Sequence, residues 1–255
     1  MTDTTTNGFV QTDIQDKIAI ITFFHPASNS FPSALLADLV QHINEVSNSE
    51  EVSVVILQSQ GDGAFCAGAS FDELLSIQNK KDGEQFFAGF ANVINAMRTC
   101  KKIIITRVHG KAVGGGVGII SASDYSFATQ NSSIKLSELA IGIGPFVIEP
   151  AVSRKIGKMA TAEITLEATN WKTADWAKQN GLYNQVFETT SQMDETLQKF
   201  THQLASYNPQ ALAEMKIVFW ENTNHWNELL YQRAAISGEL VLSNFTKNAL
   251  NQFKK

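Results

Sequence analysis

Residues 105–125 read ITRVHGKAVGGGVGIISASDY, and this stretch decides how the surrounding chain folds. It begins inside the β-branched run 103–108 (IIITRV), which predicts a buried strand. The glycine triplet 114–116 follows and opens an apolar segment that predicts a helix. A second, short strand is predicted over residues 124–128. A strand, a glycine-rich turn, a helix and another strand in close succession are typical of an α/β fold.

The same alternation of strands and helices extends outward on both sides of this stretch. Strands are predicted over 17–24, 52–57, 134–136 and 185–187, and helices over 31–46, 71–77, 85–97, 149–156, 160–168 and 173–180. From residue 192 to 253 the hydrophobic spacing is helical, with breaks near 208, 222–224 and 243. We therefore predict an α/β fold with two regions, a core over 1–207 and a helical region over 208–255.

Composition and charge exclude several classes of protein. The 255 residues are 44% hydrophobic and 18% charged, which excludes a disordered chain. Lys and Arg number 20 against 25 Asp and Glu, so a net charge of −5 offers no basic surface for nucleic acid. The apolar runs are far shorter than the ~20 residues of a membrane span, and no signal peptide is recognisable. With two cysteines, Cys66 and Cys100, no disulfide framework is predicted, and we expect a cytoplasmic protein.

Several common catalytic motifs are absent from the sequence. There is no GxxxxGK[ST] phosphate loop, no GxSxG nucleophile elbow and no HExxH metal site among the five histidines. The GVG of residues 116–118 lacks the third glycine of a GxGxxG dinucleotide loop. A nucleotide-binding alternative therefore rests on the glycine cluster alone, and the sequence predicts no metal site.

Once these motifs are excluded, two turns of small residues and one acidic residue remain as candidates for a catalytic site. The turns are 67–69 (AGA) and the glycine triplet 114–116, and the acid is Glu138 in the apolar segment LSELAIG (136–142). Small residues leave backbone N–H groups accessible, and two such groups directed at one point form an oxyanion hole. A carboxyl group in an apolar loop has a raised pKa, as a general base near neutral pH requires. The pattern indicates proton abstraction beside a carbonyl, with tight turns and close helix packing as the alternative.

At these segments the sequence resembles the crotonase superfamily, that is, the enoyl-CoA hydratase/isomerase family. The matching segments, in the family's order, are HPASN (25–29), GAFCAGASF (63–71), the stretch 105–125 and SELAIGIGP (137–145). The resemblance implies a crotonase-like spiral of ββα units with a C-terminal helical region, assembled as a homotrimer or a dimer of trimers. It also implies an acyl-CoA thioester substrate, with coenzyme A as part of the substrate and no metal or redox cofactor.

The resemblance further implies roles for individual residues. The N–H groups of Ala69 and Gly115 would hold the thioester oxygen, and Glu138 would be the catalytic acid/base. The residues that would bind the remainder of the substrate are Ala27, Ala67, Ser70, Phe71 and Gly118.

The sequence departs from typical hydratases of this family at one catalytic position. They carry a second carboxylate two residues after the glycine triplet, where this chain has Gly118. One base is enough to move a proton from C2 to C4, so we predict a Δ3–Δ2 enoyl-CoA isomerase. The alternative is hydration of a 2-enoyl-CoA, including a branched one of the methylglutaconyl-CoA type. Glu149 is then either a second carboxylate or a first-turn residue of a helix, and a CoA-thioester-binding subunit with little catalysis is a further alternative.

The acyl group itself is not defined by these motifs. A carboxylate on it would need a cation in the pocket, for which the sequence offers Arg98, Arg107 and Arg154. The last helices carry apolar surface that the resemblance assigns to contacts between subunits.

Overall fold

A six-stranded sheet organises the fold. In the computed structural model, which describes residues 8–252, the strands are β1 (Phe9–Gln15), β2 (Ile18–Phe24), β3 (Val54–Ser59), β4 (Ile103–Val108), β5 (Ala112–Val113), β6 (Tyr125–Thr129), β7 (Ile134–Lys135) and β8 (Gln185–Phe187). The sheet has the order β1-β2-β3-β4-β6-β8, in which β1 is antiparallel to β2 and every later pair is parallel. Strands β5 and β7 form a separate parallel pair.

Helices connect the strands and follow the last of them. They are α1 (Ser33–Asn48), α2 (Phe71–Ser76), α3 (Lys80–Thr99), α4 (Gly115–Ser121), α5 (Glu149–Leu166), α6 (Ala174–Gln179), α7 (Thr190–Ala205), α8 (Pro209–Phe219), α9 (Trp226–Leu240) and α10 (Asn244–Gln252). A single 3₁₀ turn, Glu138–Ile141, lies between β7 and α5 within the described residues. The predicted α/β fold class is confirmed.

Both faces of the central strands are buried, as expected for parallel strands that connect through helices. On one face, Val55 and Ile104 belong to the large core formed with α1 and α3. On the other face, Val54 and Ile103 pack in a second cluster with Leu197 of α7. Because side chains alternate between the two faces, the near-continuous apolar runs of β3 and β4 serve both clusters.

The C-terminal helices pack on the rest of the chain at two places. Helix α9 lies so close to α3 that a Cβ on Gly83 would be 2.7 Å from the Cα of Gly238. Helix α8 is held by Asp124, whose carboxylate is 2.5 Å from Lys216 Nζ and accepts a hydrogen bond of 2.7 Å from Trp220 Nε1. The division into regions 1–207 and 208–255 stays a prediction.

The predicted elements differ from the observed ones at several places; for example, the helix predicted over 85–97 extends over Lys80–Thr99, and the short strand β5 was not predicted. The strand predicted over 52–57 lies at Val54–Ser59. The two helices predicted over 149–156 and 160–168 form one element, α5, interrupted at Gly157, where φ is +76°. Strand β1 was missed because its sequence, FVQTDIQ, is largely polar and half-exposed, as befits an edge strand.

The most exposed large apolar side chains among residues 8–252 lie on three helices. Their exposed fractions are 83% for Met159 and 76% for Leu166 on α5, 63% for Ile217 on α8 and 64% for Phe245 on α10. Among residues 8–252, no helix combines the length and the apolar composition needed to cross a bilayer. These side chains therefore form apolar surface on helices that also pack on the core.

Candidate active site

The loops that follow β3 and β4 meet because neighbouring parallel strands end at the same edge of a sheet. Cys66 N donates to Lys111 O at 3.3 Å, and Val113 N donates to Cys66 O at 2.9 Å. Gly68 adopts φ +90°, and a Cβ on it would lie 2.9 Å from Val113 O. Glycine is therefore required there, and it brings the first small-residue turn against the second.

Two backbone N–H groups in these turns have no acceptor. Phe31 N donates to Gly68 O at 2.8 Å and Ser70 N donates to Phe31 O at 2.9 Å, a pattern that turns the N–H of Ala69 away from Phe31. Gly115 is the first residue of α4, where helical N–H groups lack partners. Within the described part of the chain, neither Ala69 N nor Gly115 N donates a hydrogen bond.

Ala69 and Gly115 line one cavity of about 460 Å³. Its apolar walls include Phe71, Leu74, Phe87, Phe90, Ile143 and Ile148. Among residues 8–252, the charged side chains in its lining are Lys135 and Glu138. A cavity with few polar groups strengthens the electrostatic effect of each one that it does contain.

The carboxyl group of Glu138 lies beside the glycine triplet. Glu138 begins the 3₁₀ turn, and a Cβ on Gly114, which has φ +52°, would be 2.7 Å from Glu138 Oε1. Oε2 is buried and has no hydrogen-bond partner among the described residues. Burial raises the pKa of the Glu138 carboxyl from 4.5 to about 7, and a hydrogen bond from its own backbone N–H lowers it by less. The group can therefore accept and return a proton near neutral pH.

Typical hydratases carry their second carboxylate at the position of Gly118, and in this chain the side chain of Ile148 fills the space beside it. Gly118 is fully buried, and a Cβ on it would overlap the Cγ2 of Ile148, a residue of the cavity wall. Glu149 does not line the cavity: its carboxylate accepts a hydrogen bond of 2.5 Å from Ser153 and lies 3.5 Å from Arg233. Its place in the first turn of α5 fits the interpretation of Glu149 as a residue that stabilises the helix N-terminus.

We predict that Gly118→Ala destabilises the protein by about 1–3 kcal/mol, because the added methyl group overpacks against Ile148. Urea denaturation of Gly118→Ala, Ile148→Ala and the double variant measures the coupling between the two positions. The double variant should be more stable than the sum of the single effects predicts, by about 0.5 kcal/mol or more. Purely additive losses would contradict the proposed contact.

The remaining substrate-binding candidates separate into two groups. Ala67 and Phe71 line the cavity together with the two N–H donors. Ala27 is exposed on the loop after β2, and Ser70 is buried at the N-cap of α2, where its Oγ accepts from Glu73 N at 3.4 Å. Ala27, Ser70 and Gly118 therefore lie outside this cavity, and their contact with substrate stays a prediction.

The cationic residue of the cavity lining is not one of the three arginines that the sequence offers. Arg98 binds Asn227 at 2.6 Å, Arg107 pairs with Asp194 at 2.6 Å, and Arg154 donates to the carbonyl of Phe219. None of the three lines the cavity, and sequence reasoning missed the residue that does. Lys135 stands in the same short segment as Glu138, between two apolar residues, which was the available signal.

The described residues provide neither a metal-binding cluster nor a reactive cysteine thiol. Within residues 8–252, no group of three His, Cys, Asp or Glu side chains is placed to hold a metal ion. Cys66 and Cys100 are buried free thiols, and burial raises the pKa of Cys66 to about 12. Cys66 therefore stays protonated at neutral pH and is not a nucleophile.

Comparison with known sequences identifies relatives over most of the chain. A family profile described as "Enoyl-CoA hydratase/isomerase" matches residues 13–253. The short-chain-enoyl-CoA hydratase of Clostridium acetobutylicum is 31% identical over 78% of this chain and 76% of that protein. The bacillaene synthase dehydratase PksH of Bacillus subtilis is 30% identical, over 84% of this chain and 81% of that protein. The peroxisomal Δ(3,5)-Δ(2,4)-dienoyl-CoA isomerase of Arabidopsis thaliana is 28% identical over 74% of this chain and 68% of that protein.

Solved structures show the same architecture. An enoyl-CoA hydratase from Bacillus halodurans superposes with a TM-score of 0.89, at 22% identity, over 96% of this chain and 99% of that one. A crystal structure of PksH from Bacillus subtilis, described as a putative polyketide biosynthesis enoyl-CoA hydratase, superposes with a TM-score of 0.86. The two proteins are 23% identical, and the superposition covers 98% of both chains. At this level of identity the structural likeness concerns the fold.

Proposed function

Because the chain belongs to the enoyl-CoA hydratase/isomerase family, whose members act on CoA thioesters, we propose that it is a Δ3–Δ2 enoyl-CoA isomerase. One observation carries the proposal: among the described residues, Glu138 is the one carboxylate that lines the cavity. Ala69 and Gly115, with their two unpaired N–H groups, line the same cavity. This set supports proton transfer beside a thioester carbonyl more directly than it supports the addition of water.

The proposed oxyanion hole stabilises an enolate. The thioester oxygen of a 3-enoyl-CoA accepts hydrogen bonds from Ala69 N–H and Gly115 N–H. Negative charge on this oxygen grows as C2 loses its proton, so both donors bind the transition state more strongly than the substrate. The loss of one such donor costs about 3 kcal/mol in enzymes that use it.

In the proposed reaction Glu138 moves one proton and leaves the substrate's composition unchanged. Its carboxylate takes the proton from C2, and the electron pair of that C–H bond moves into the dienolate. The resulting carboxylic acid returns the proton to C4 while the double bond forms between C2 and C3. No electrons enter or leave, so this step needs no redox cofactor. A pKa of about 7 suits a group that must act first as base and then as acid.

Hydration of a 2-enoyl-CoA is the second candidate, because the relative from Clostridium acetobutylicum carries that name at 31% identity. It needs a positioned water and a proton for C2, tasks that would both fall to Glu138. A branched 2-enoyl-CoA of the methylglutaconyl-CoA type belongs to this candidate.

Separate incubations with 3-hexenoyl-CoA and crotonyl-CoA distinguish the two candidates. We expect conversion of 3-hexenoyl-CoA to the 2-enoyl isomer, followed by absorbance of the conjugated thioester, at a rate far above hydration of crotonyl-CoA. Rapid hydration without isomerisation would make the protein a hydratase. Tight binding of both thioesters with turnover of neither would favour a CoA-thioester-binding subunit.

The pH dependence of kcat/KM should follow the ionisation of Glu138. The carboxylate form is the base, so we expect kcat/KM to rise with pH and to level off above an apparent pKa of about 7. Below that pKa the rate should fall about tenfold per pH unit, because the fraction of Glu138 in the carboxylate form falls in that proportion. Initial rates between pH 5 and pH 9 measure this profile, and a flat profile across pH 6–8 would remove Glu138 as the base.

We also propose that the chain assembles as a homotrimer or a dimer of trimers. The exposed apolar residues of α5, α8 and α10, including Met159, Leu166 and Phe245, supply surface that a partner subunit would cover. Sedimentation velocity should give a mass of three or six chains. A monomer across the micromolar range would contradict this assembly.

The cytoplasmic location is likewise a proposal. Its support is the pair of buried free thiols, Cys66 and Cys100, since reducing compartments keep such thiols unpaired. Fractionation of the source cells tests it directly.

A further inference from the structure

Among residues 8–252, Lys135 is the cationic residue of the lining of the proposed acyl-CoA cavity, and its ammonium group lies against the ring of Trp171, which is not part of that lining. Lys135 belongs to β7, is half-buried and lines the cavity with Glu138 and Gly115. Its carbonyl oxygen accepts a hydrogen bond of 2.9 Å from Gly114 N. The backbone of Lys135 is thus fixed beside the residue that precedes the proposed donor Gly115.

The ammonium group of Lys135 has an aromatic neighbour and no acidic partner. Its Nζ lies 4.6 Å from the ring centroid of Trp171, and the Nζ of Lys111 lies 5.0 Å from the same centroid. Lys172, which follows Trp171 in the sequence, forms ion pairs with Glu163 and Glu167, so these two carboxylates already have a cationic partner. Within residues 8–252, neither Lys135 nor Lys111 forms an ion pair.

An ammonium group that has no acidic partner and belongs to a residue of the cavity lining favours an anionic ligand. The Trp171 ring gives this charge a cation–π contact but does not neutralise it. A carboxylate brought to this position would gain a charge-assisted hydrogen bond in a poorly polar setting.

We propose that Lys135 binds a carboxylate carried by the acyl group, so that the preferred substrates are CoA thioesters of dicarboxylic acids. This inference rests on the proposed function for the identity of the ligand as a CoA thioester. The phosphates of CoA lie at the far end of the pantetheine arm, whereas Lys135 lines the cavity that contains the proposed base and donors. Lys111, which is exposed, does not line that cavity.

Binding of saturated thioesters tests the inference without requiring turnover. Calorimetry would compare succinyl-, glutaryl- and adipoyl-CoA with butyryl-, pentanoyl- and hexanoyl-CoA, the monocarboxylic counterparts of equal chain length. We expect at least one dicarboxylic thioester to bind about tenfold or more tightly than its counterpart, as one charged hydrogen bond allows. Lys135→Met should abolish this preference, and Lys135→Arg should retain most of it.

Lys111→Met is the matched control, because Lys111 contacts the same Trp171 ring from outside the cavity. It should leave the preference for the dicarboxylic thioester within about threefold of the original, since about 0.6 kcal/mol corresponds to that factor. Equal weakening of both thioester classes by Lys135→Met would assign Lys135 to a phosphate of CoA and overturn the proposal. Wild-type protein that shows no preference in any of the three pairs would also overturn it. Failure to bind any CoA thioester would instead contradict the proposed function itself.

Discussion

Replacement of Glu138 by glutamine, Glu138→Gln, is expected to lower kcat for 3-hexenoyl-CoA by about 100-fold or more, because the amide can neither take nor return the proton. Glutamine keeps the shape of the side chain and its place beside Gly114. Thioester binding should therefore persist, and calorimetry with hexanoyl-CoA would confirm that the site is intact. A variant with an unchanged rate would show that Glu138 is outside the mechanism.

The same substitution should stabilise the protein above neutral pH. Folding raises the pKa of the Glu138 carboxyl from 4.5 to about 7, so the folded state binds its proton more tightly than the unfolded state does. Stability linked to this group is fully present below pH 4.5 and is lost as the pH rises through 7, by up to about 3 kcal/mol. Glutamine cannot ionise, so Glu138→Gln should unfold at higher urea concentration than the wild type at pH 8. The difference between the two proteins should shrink towards pH 5.

A gain in stability together with a loss of activity would distinguish a functional carboxyl group from a structural one. A glutamate held for packing would be paired or hydrogen-bonded, and its removal would destabilise the fold. Oε2 of Glu138 has no partner among the described residues. The unpaired atom and the raised pKa therefore have a common explanation if the substrate supplies the missing interaction.

Local sequence patterns predict much of the fold and part of the site. The run 103–108 matches β4 residue for residue, because a β-branched apolar segment between polar neighbours has few other ways to be buried. The two small-residue turns and Glu138 stand out for the same reason: each contrasts with its immediate neighbours. The structure brings all three to one cavity, which the order of the parallel strands accounts for.

Contacts between distant residues are what local patterns do not predict. The sequence shows at Gly118 that one carboxylate is missing. It does not show that Ile148 fills the space, because this contact depends on where α5 begins after the 3₁₀ turn. Lys135 enters the cavity wall because β7, only two residues long, pairs with β5. A strand of two residues is too short to show an alternation of apolar and polar residues. The direction of its side chains therefore depends on its pairing with β5 alone.

Gly115→Pro is expected to lower kcat/KM by about 100-fold or more relative to Gly115→Ala, because proline removes the proposed N–H donor and alanine keeps it. Proline is tolerated at the first position of a helix, which Gly115 occupies in α4. Gly114 has φ +52° and ψ −116°, the mirror image of the extended conformation that a residue before proline prefers, and glycine adopts both. The backbone is therefore compatible with the substitution.

The comparison with alanine separates chemistry from packing. A Cβ on Gly115 would overlap Cε1 of the buried Phe90, so both variants must displace that ring and lose stability by about 1–3 kcal/mol. Their unfolding midpoints in urea should be similar, which makes the ratio of their rates a measure of the N–H group. If Gly115→Pro and Gly115→Ala turn over 3-hexenoyl-CoA equally well, the enolate oxygen is held elsewhere, and the pairing of Ala69 with Gly115 as an oxyanion hole is wrong. A large ratio with equal stabilities would assign the loss to the N–H position of Gly115, where proline both removes the hydrogen and places its Cδ atom.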